Sequence, residues 1–142
     1  MLTKNLAVLS QLGEEPMHSN IEAIPVEVET EEMILHEMHL GEMNVGYEIF
    51  NAHVTTDEMF ADLPDGRCQS PHYGYVIEGQ LTLRYADEEE TVAAGEVYYI
   101  RPGHNVTLEA GTKLVEFSPL GESYEQTLEA AGEGVKKMEA SD

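Results

Sequence analysis

The sequence predicts an all-β domain, closed or sandwiched, and three observations carry the prediction. Short runs rich in β-branched and aromatic residues recur at spacings of about ten residues from Ile21 to Pro119. Glycine, proline and acidic turn residues separate the runs. Helical spacing emerges only past Pro119, where Tyr124, Leu128 and Ala131 recur before Gly132 and Gly134 weaken the pattern. At 142 residues the chain has the length of one domain with extensions. The expected division is an N-terminal arm over 1–20, a β region over 21–120, and a C-terminal helix with a polar tail over 121–142.

In order, Leu6 to Leu9 form a short apolar patch in the arm, suited to cover a neighbouring surface. Ile24, Val26 and Val28 alternate with Pro25, Glu27 and Glu29, as a strand with one wet face does. Met33, Leu35, Glu37, Met38 and Leu40 continue less cleanly, with Gly41 and Gly46 as turn marks. Val45, Tyr47 and Phe50 predict a further strand. An acidic loop or single helical turn then ends in the tight turn Pro64-Asp65-Gly66. Leu81, Leu83 and Tyr85 share one face of a hairpin arm that turns through Asp87 to Glu90. Val97 to Ile100 form a strand stopped by Pro102-Gly103, and Val106, Leu108, Leu114, Val115 and Phe117 supply two more around Ala110-Gly111.

Charge and cysteine content exclude several classes of function. The 28 acidic and 7 basic residues leave a net charge of −21, which repels nucleic-acid phosphates and anionic lipid heads. Nucleic acid and membrane are therefore excluded as partners, and no apolar run approaches the ~20 residues of a bilayer span. Cys68 is alone, so the fold closes without an internal disulfide, and a cytoplasmic location is expected.

The segment Tyr75-Val76-Ile77-Glu78-Gly79 with the Leu81/Leu83 strand, and the segment from Ala94 to His104, resemble the two motif segments of the cupin superfamily. The likeness spans about Val45 to Pro119. More narrowly, Cys68 to Val76 with Pro102-Gly103-His104 and Glu116 to Pro119 resemble a group of small bacterial cupins. The resemblance implies a jelly-roll β-barrel, a cavity for a small molecule, frequent binding of a divalent metal inside it, and a homodimer. Measured back from Gly79, the glutamate position of the first cupin motif falls on His72 and its second histidine on Cys68, while its first histidine falls on Gly66. The histidine of the second motif falls on Val106, and His104 precedes it with the same strand parity.

On an extended segment Cys68 and His72 project from one face, so both enter such a barrel, with His104 opposite. Cys68, His72 and His104 are thus the candidate metal ligands. A thiolate with two imidazoles suits zinc, with iron, nickel or copper as alternatives, and without the motif carboxylate softer metals gain on manganese. The competing reading makes Cys68 a small buried hydrophobe and the histidines hydrogen-bonded polar plugs. Tyr75, Tyr98 and Arg101 are candidates for holding a ligand; Arg101 also has many carboxylates nearby with which to pair. His18, His36, His39 and His53 are read as surface or strand residues. The expected function is binding of a small molecule in the cavity, with or without metal, as an enzyme or as a non-catalytic sensing barrel.

Overall fold

Residues 16–140, which the computed structural model describes, form ten strands and a C-terminal helix. The strands are β1 (Val26–Glu29), β2 (Met33–Leu40), β3 (Met43–Phe50), β4 (Val54–Thr55), β5 (His72–Glu78), β6 (Gln80–Arg84), β7 (Glu89–Ala93), β8 (Val97–Ile100), β9 (Asn105–Leu108) and β10 (Thr112–Pro119). All pair antiparallel in two sheets, one ordered β1-β2-β3-β10-β5-β8 and one ordered β4-β9-β6-β7. The predicted all-β jelly roll with a C-terminal helix is the architecture observed. The expected apolar arm at Leu6 to Leu9 lies outside the described residues, as do the last two residues of the expected tail.

The chain passes repeatedly between the sheets. Gly79, at φ 79°, carries it from β5 to β6, and a Cβ there would lie 2.5 Å from Thr112 Oγ1. Only glycine fits both the conformation and the space. The turn at Ala110-Gly111 likewise does not close a hairpin: β9 belongs to the smaller sheet and β10 to the larger.

The main core lies between the sheets, with Phe50, Val76, Leu81, Leu83, Ile100, Val106, Leu108 and Leu114 buried in one cluster. A second cluster covers the outer face of the larger sheet. There Val45 and Tyr47 of β3 meet Ile24, which follows a 3-10 turn at Ile21–Ala23 capped by Asn20. The apolar residues that announce β3 in the sequence are thus its outer face, and Asn44, Gly46, Glu48 and Phe50 alternate to the inside. Gly46 is a strand residue, not the turn expected from its type; the β2–β3 turn falls at Gly41, with φ 60°. Val26 is 48% exposed because the β1–β2 register shifts between Val26 and Val28, which breaks the expected alternation.

The helix α1 (Glu122–Ala140) continues through Gly132 and Gly134, which the sequence reading takes as weakening it. Gly134 is where the helix backbone meets Met59: a Cβ there would lie 2.5 Å from Met59 Cα. The helix sacrifices propensity for close packing, which tertiary contact routinely outweighs. It thereby lays Tyr124, Thr127, Leu128 and Ala131 over one end of the space between the sheets.

Candidate metal centre

Cys68, His72 and His104 meet because of strand pairing. Cys68, just ahead of β5, forms a bridge with His104, just ahead of β9; Cys68 N–H donates to His104 O at 2.9 Å and Gly103 N–H to Cys68 O at 2.8 Å. His72 opens β5 on its inward side, the side of Gly74 and Val76. One ligand atom from each of the three lies within 4.8 Å of the others, and all three residues are buried. Cys68 Sγ stands 3.4 Å from His72 Nε2. A tetrahedral zinc with Zn–S about 2.3 Å and Zn–N about 2.0 Å sets sulfur and nitrogen about 3.5 Å apart.

Both imidazoles are held by their other nitrogen. His104 Nδ1 lies 2.8 Å from the carbonyl of Arg101, an acceptor only, so Nδ1 carries the proton and Nε2 keeps its lone pair. His72 Nδ1 faces Ser118 Oγ at 2.6 Å and Glu116 Oε2 at 3.5 Å. Orientation of a ligating histidine through its far nitrogen is the usual second shell of a metal site. Thr127 Oγ1 of α1 adds a contact to Cys68 Sγ at 3.4 Å.

The electrostatics favour a thiolate. Burial acts to raise the Cys68 pKa, but hydrogen bonding and charge from His104 and His72 outweigh it and bring the thiol down to about 6. Burial acts to lower His72, yet Glu116 and the Cys68 thiolate raise it to about 9. Cys68 and His72 thus form a thiolate–imidazolium pair, in which a bound cation would take the place of the imidazolium proton.

The same inward face holds a second polar group. Strand register sets His39, Asn44, Ser118 and His72 in one row and Glu37, Gly46, Glu116 and Gly74 in the next. The two glycines leave the second row room. A Cβ on Gly74 would lie 2.4 Å from Tyr98 Cζ, and one on Gly46 would lie 3.2 Å from Glu48 Oε2, so Tyr98 and the Glu48 carboxyl occupy those places. Tyr98 donates to Glu116 at 2.8 Å and Tyr124 to Glu37 at 3.4 Å. Burial followed by neighbouring carboxylates raises Glu37 to about 7 and lifts Glu48 well above its ordinary value. Burial, then the adjacent carboxylates, raises both tyrosines, which remain neutral donors.

These groups open into a cavity of about 140 Å³ between the sheets, otherwise lined mainly by apolar side chains such as Leu35, Phe50, Ile100 and Leu114. His72, His104, Glu37, Glu48, Glu116 and Asn44 also line it.

Of the expected site residues, Cys68, His72 and His104 are brought together. Tyr98 is buried on the inner side and bound to Glu116. Tyr75 is not part of the cavity: it is 41% exposed, because strand alternation turns it away from the side of His72 and Val76. Arg101 also points elsewhere, toward Asp87 and Glu88 at 3.4 and 3.3 Å and over the Tyr85 ring at 3.8 Å. His39, read as an ordinary strand residue, has both ring nitrogens buried without a hydrogen-bond partner among the described residues. Glu116, which lies outside both motif segments, brings a carboxylate to 3.5 Å from His72 Nδ1. Glu37, Glu48, Asn44, Ser118 and Thr127 were also not singled out. Glu37, Asn44 and Glu48 carry a signal, as acids and an amide sharing strand parity with Leu35 and Phe50, and Ser118 shares parity with Leu114; Thr127, on the helix, carries none.

No helix among the described residues is long and apolar enough to cross a membrane. No family model matches the sequence, and no curated protein matches it. Solved structures do. An RmlC-like cupin from Shewanella frigidimarina NCIMB 400 superposes with a TM-score of 0.54 at 15% identity, over 78% of this chain and 96% of that one. A protein of unknown function from Rhizobium leguminosarum bv. viciae 3841 gives 0.55 at 18% identity, over 75% and 99%. The polyketide cyclase RemF from Streptomyces resistomycificus gives 0.53 at 14% identity, over 72% and 78%. At such identities the likeness is one of fold, and the fold of this chain is that of the cupins.

Proposed function

We propose that this cupin-fold domain binds a small molecule in the cavity between its sheets, beside a divalent metal held by Cys68, His72 and His104. The observation that carries the reading is the convergence of one sulfur and two imidazoles whose Nδ1 atoms are already engaged, leaving both Nε2 atoms for the ion. Three protein ligands leave a fourth position for water or ligand, as in catalytic zinc sites. The soft thiolate favours zinc, with iron, nickel or copper as alternatives, and such an ion supplies Lewis acidity when bound. The residues do not name a reaction. A non-catalytic binding or sensing role uses the same cavity, and without metal the Cys68–His72 contact is the thiolate–imidazolium pair at 3.4 Å. The lone Cys68 fits a reducing location such as the cytoplasm.

Metal analysis of protein purified under reducing, chelator-free conditions tests the site. The expected result is near one equivalent in the wild type and loss in Cys68→Ala and His72→Ala. A metal-free wild type that also fails to take up added zinc refutes it.

We also infer a homodimer. Tyr73, Tyr75, Val97, Tyr99 and Phe117 form one exposed apolar area on the outer face of β10, β5 and β8, where register places Tyr73 beside Tyr99 and Phe117. A twofold contact presents the same patch from both copies, which suits a self-complementary aromatic surface on a chain otherwise heavily acidic. Light scattering at micromolar concentration gives twice the chain mass on this reading. A monomer refutes it.

A further inference from the structure

We propose that the cavity selects a small organic cation, a primary amine whose ammonium group is held among Glu37, Glu48, Glu116 and Asn44. The inference rests on the reading of the cavity as a small-molecule site and names the class of molecule it takes.

The first observation is an excess of acceptors. Glu37 and Glu116 lie on either side of Gly46 in the sheet, and the Glu48 carboxyl bends over Gly46 between them. Among the described residues Glu37 accepts from Tyr124, and Glu116 accepts from Tyr98 and lies against His72. Among the described residues lining the cavity there is no lysine and no arginine. The raised pKa values of Glu37 and Glu48, set first by burial and then by neighbouring carboxylates, are what such carboxyls show when no cation sits among them.

The second observation is independent of the acids. Asn44 is 4% exposed and lines the same cavity, yet its Oδ1 has no hydrogen-bond partner among the described residues. A buried amide oxygen left unpaired is costly, and what it lacks is a donor. An ammonium group brings three donors and no acceptor, matching a pocket end that offers carboxylate and amide oxygens.

The alternatives fit less well. An anion meets carboxylates. A second metal needs ligands that converge, and among the described residues the converging metal-binding group is Cys68, His72 and His104. The rest of the wall, including Leu35, Phe50, Leu108 and Leu114, suits an alkyl body. A cavity of 140 Å³ is close to the roughly 150 Å³ that accommodates benzene, so the amine has about five to eight non-hydrogen atoms.

The test is calorimetry and two-dimensional NMR on the full chain at pH 8 and physiological salt, with n-butylammonium, 1-butanol and butyrate as probes. Butylammonium is expected to bind at least tenfold tighter than 1-butanol, to shift the Asn44 side-chain amide signals, and to exclude butyrate. Glu37→Gln and Glu48→Gln, each close in shape to the protonated acid, are expected to weaken butylammonium at least tenfold and leave 1-butanol unchanged. The comparison of the three probes on wild type stands even where a variant does not fold. If 1-butanol binds as tightly and shifts Asn44, the cation selectivity is overturned and the small-molecule cavity survives. Butylammonium bound without an Asn44 shift, and indifferent to both variants, is held by the acidic exterior and overturns the proposal. If no probe binds, the proposal and the cavity reading fall together.

Discussion

Replacement of Glu37 by glutamine changes how stability depends on pH, by an amount the structure sets. Glu37 sits on the inner face of β2 with Tyr124 as its donor, and burial, then Glu27, raises its pKa from 4.5 to about 7. The folded chain therefore binds more protons than the unfolded chain between those values, and stability falls as pH rises through that window. At about 1.36 kcal/mol per unit, the loss is roughly 3 kcal/mol, complete just above pH 7 and constant beyond. Glutamine has no proton to lose, so Glu37→Gln should match the wild type near pH 4.5 and exceed it by up to about 3 kcal/mol at pH 8. Glu48, raised in the same direction, leaves the variant a residual slope. Urea unfolding of metal-free protein at several pH values between 4.5 and 8, followed by far-UV circular dichroism, reads this directly. Parallel pH profiles for the two proteins, or a variant weaker than wild type at pH 8, refute the assignment of a buried, proton-holding Glu37.

Two further outcomes follow from the geometry. Ser118→Ala removes the hydroxyl 2.6 Å from His72 Nδ1; zinc affinity measured by chelator competition should fall about 10- to 100-fold, and an unchanged affinity argues against a metal oriented through His72. Gly74→Ala puts a methyl where Tyr98 Cζ is 2.4 Å and Val115 O is 2.6 Å away; the cost should be about 1–3 kcal/mol or more in urea unfolding, and a neutral result means that Tyr98 does not occupy that space.

The architecture was legible because its cues are local. Alternation, turn residues and the framework glycines report on the few residues around them, and Gly79 in particular marks a crossing between sheets that no other residue fits. Cys68 and His72 were legible as a pair because strand parity links them, and His104 because its segment resembles a known motif. The inner face of β3 was not legible. Its strand has apolar residues at Val45, Tyr47 and Ile49, and the ordinary rule turns those inward. Here Ile24 and the 3-10 turn before it cover the opposite face, so the rule selects the wrong side. No local cue says which face a distant segment will cover, and so the acids facing the cavity escaped notice.

That reversal has an energetic side. A domain of this kind typically has about 5–15 kcal/mol of stability, and Glu37 alone withdraws roughly 3 kcal/mol of it at neutral pH. Leucine at such positions would bury apolar surface instead of repelling charge, and even buried ion pairs can often be exchanged for apolar residues with no loss or a gain in stability. Folding therefore does not account for three carboxyls, an unpaired amide and a thiolate around one space. They form one connected set: Glu116 touches His72, His72 touches Cys68, and the remaining acceptors face an otherwise apolar cavity, as the proposed binding of a cation and a metal requires. Because Glu116 belongs to both groups, a cation near it competes with His72 for its charge. On both proposals, occupancy of the carboxylates should then draw negative charge away from His72 and alter metal affinity at Cys68, His72 and His104, a coupling that runs equally in both directions.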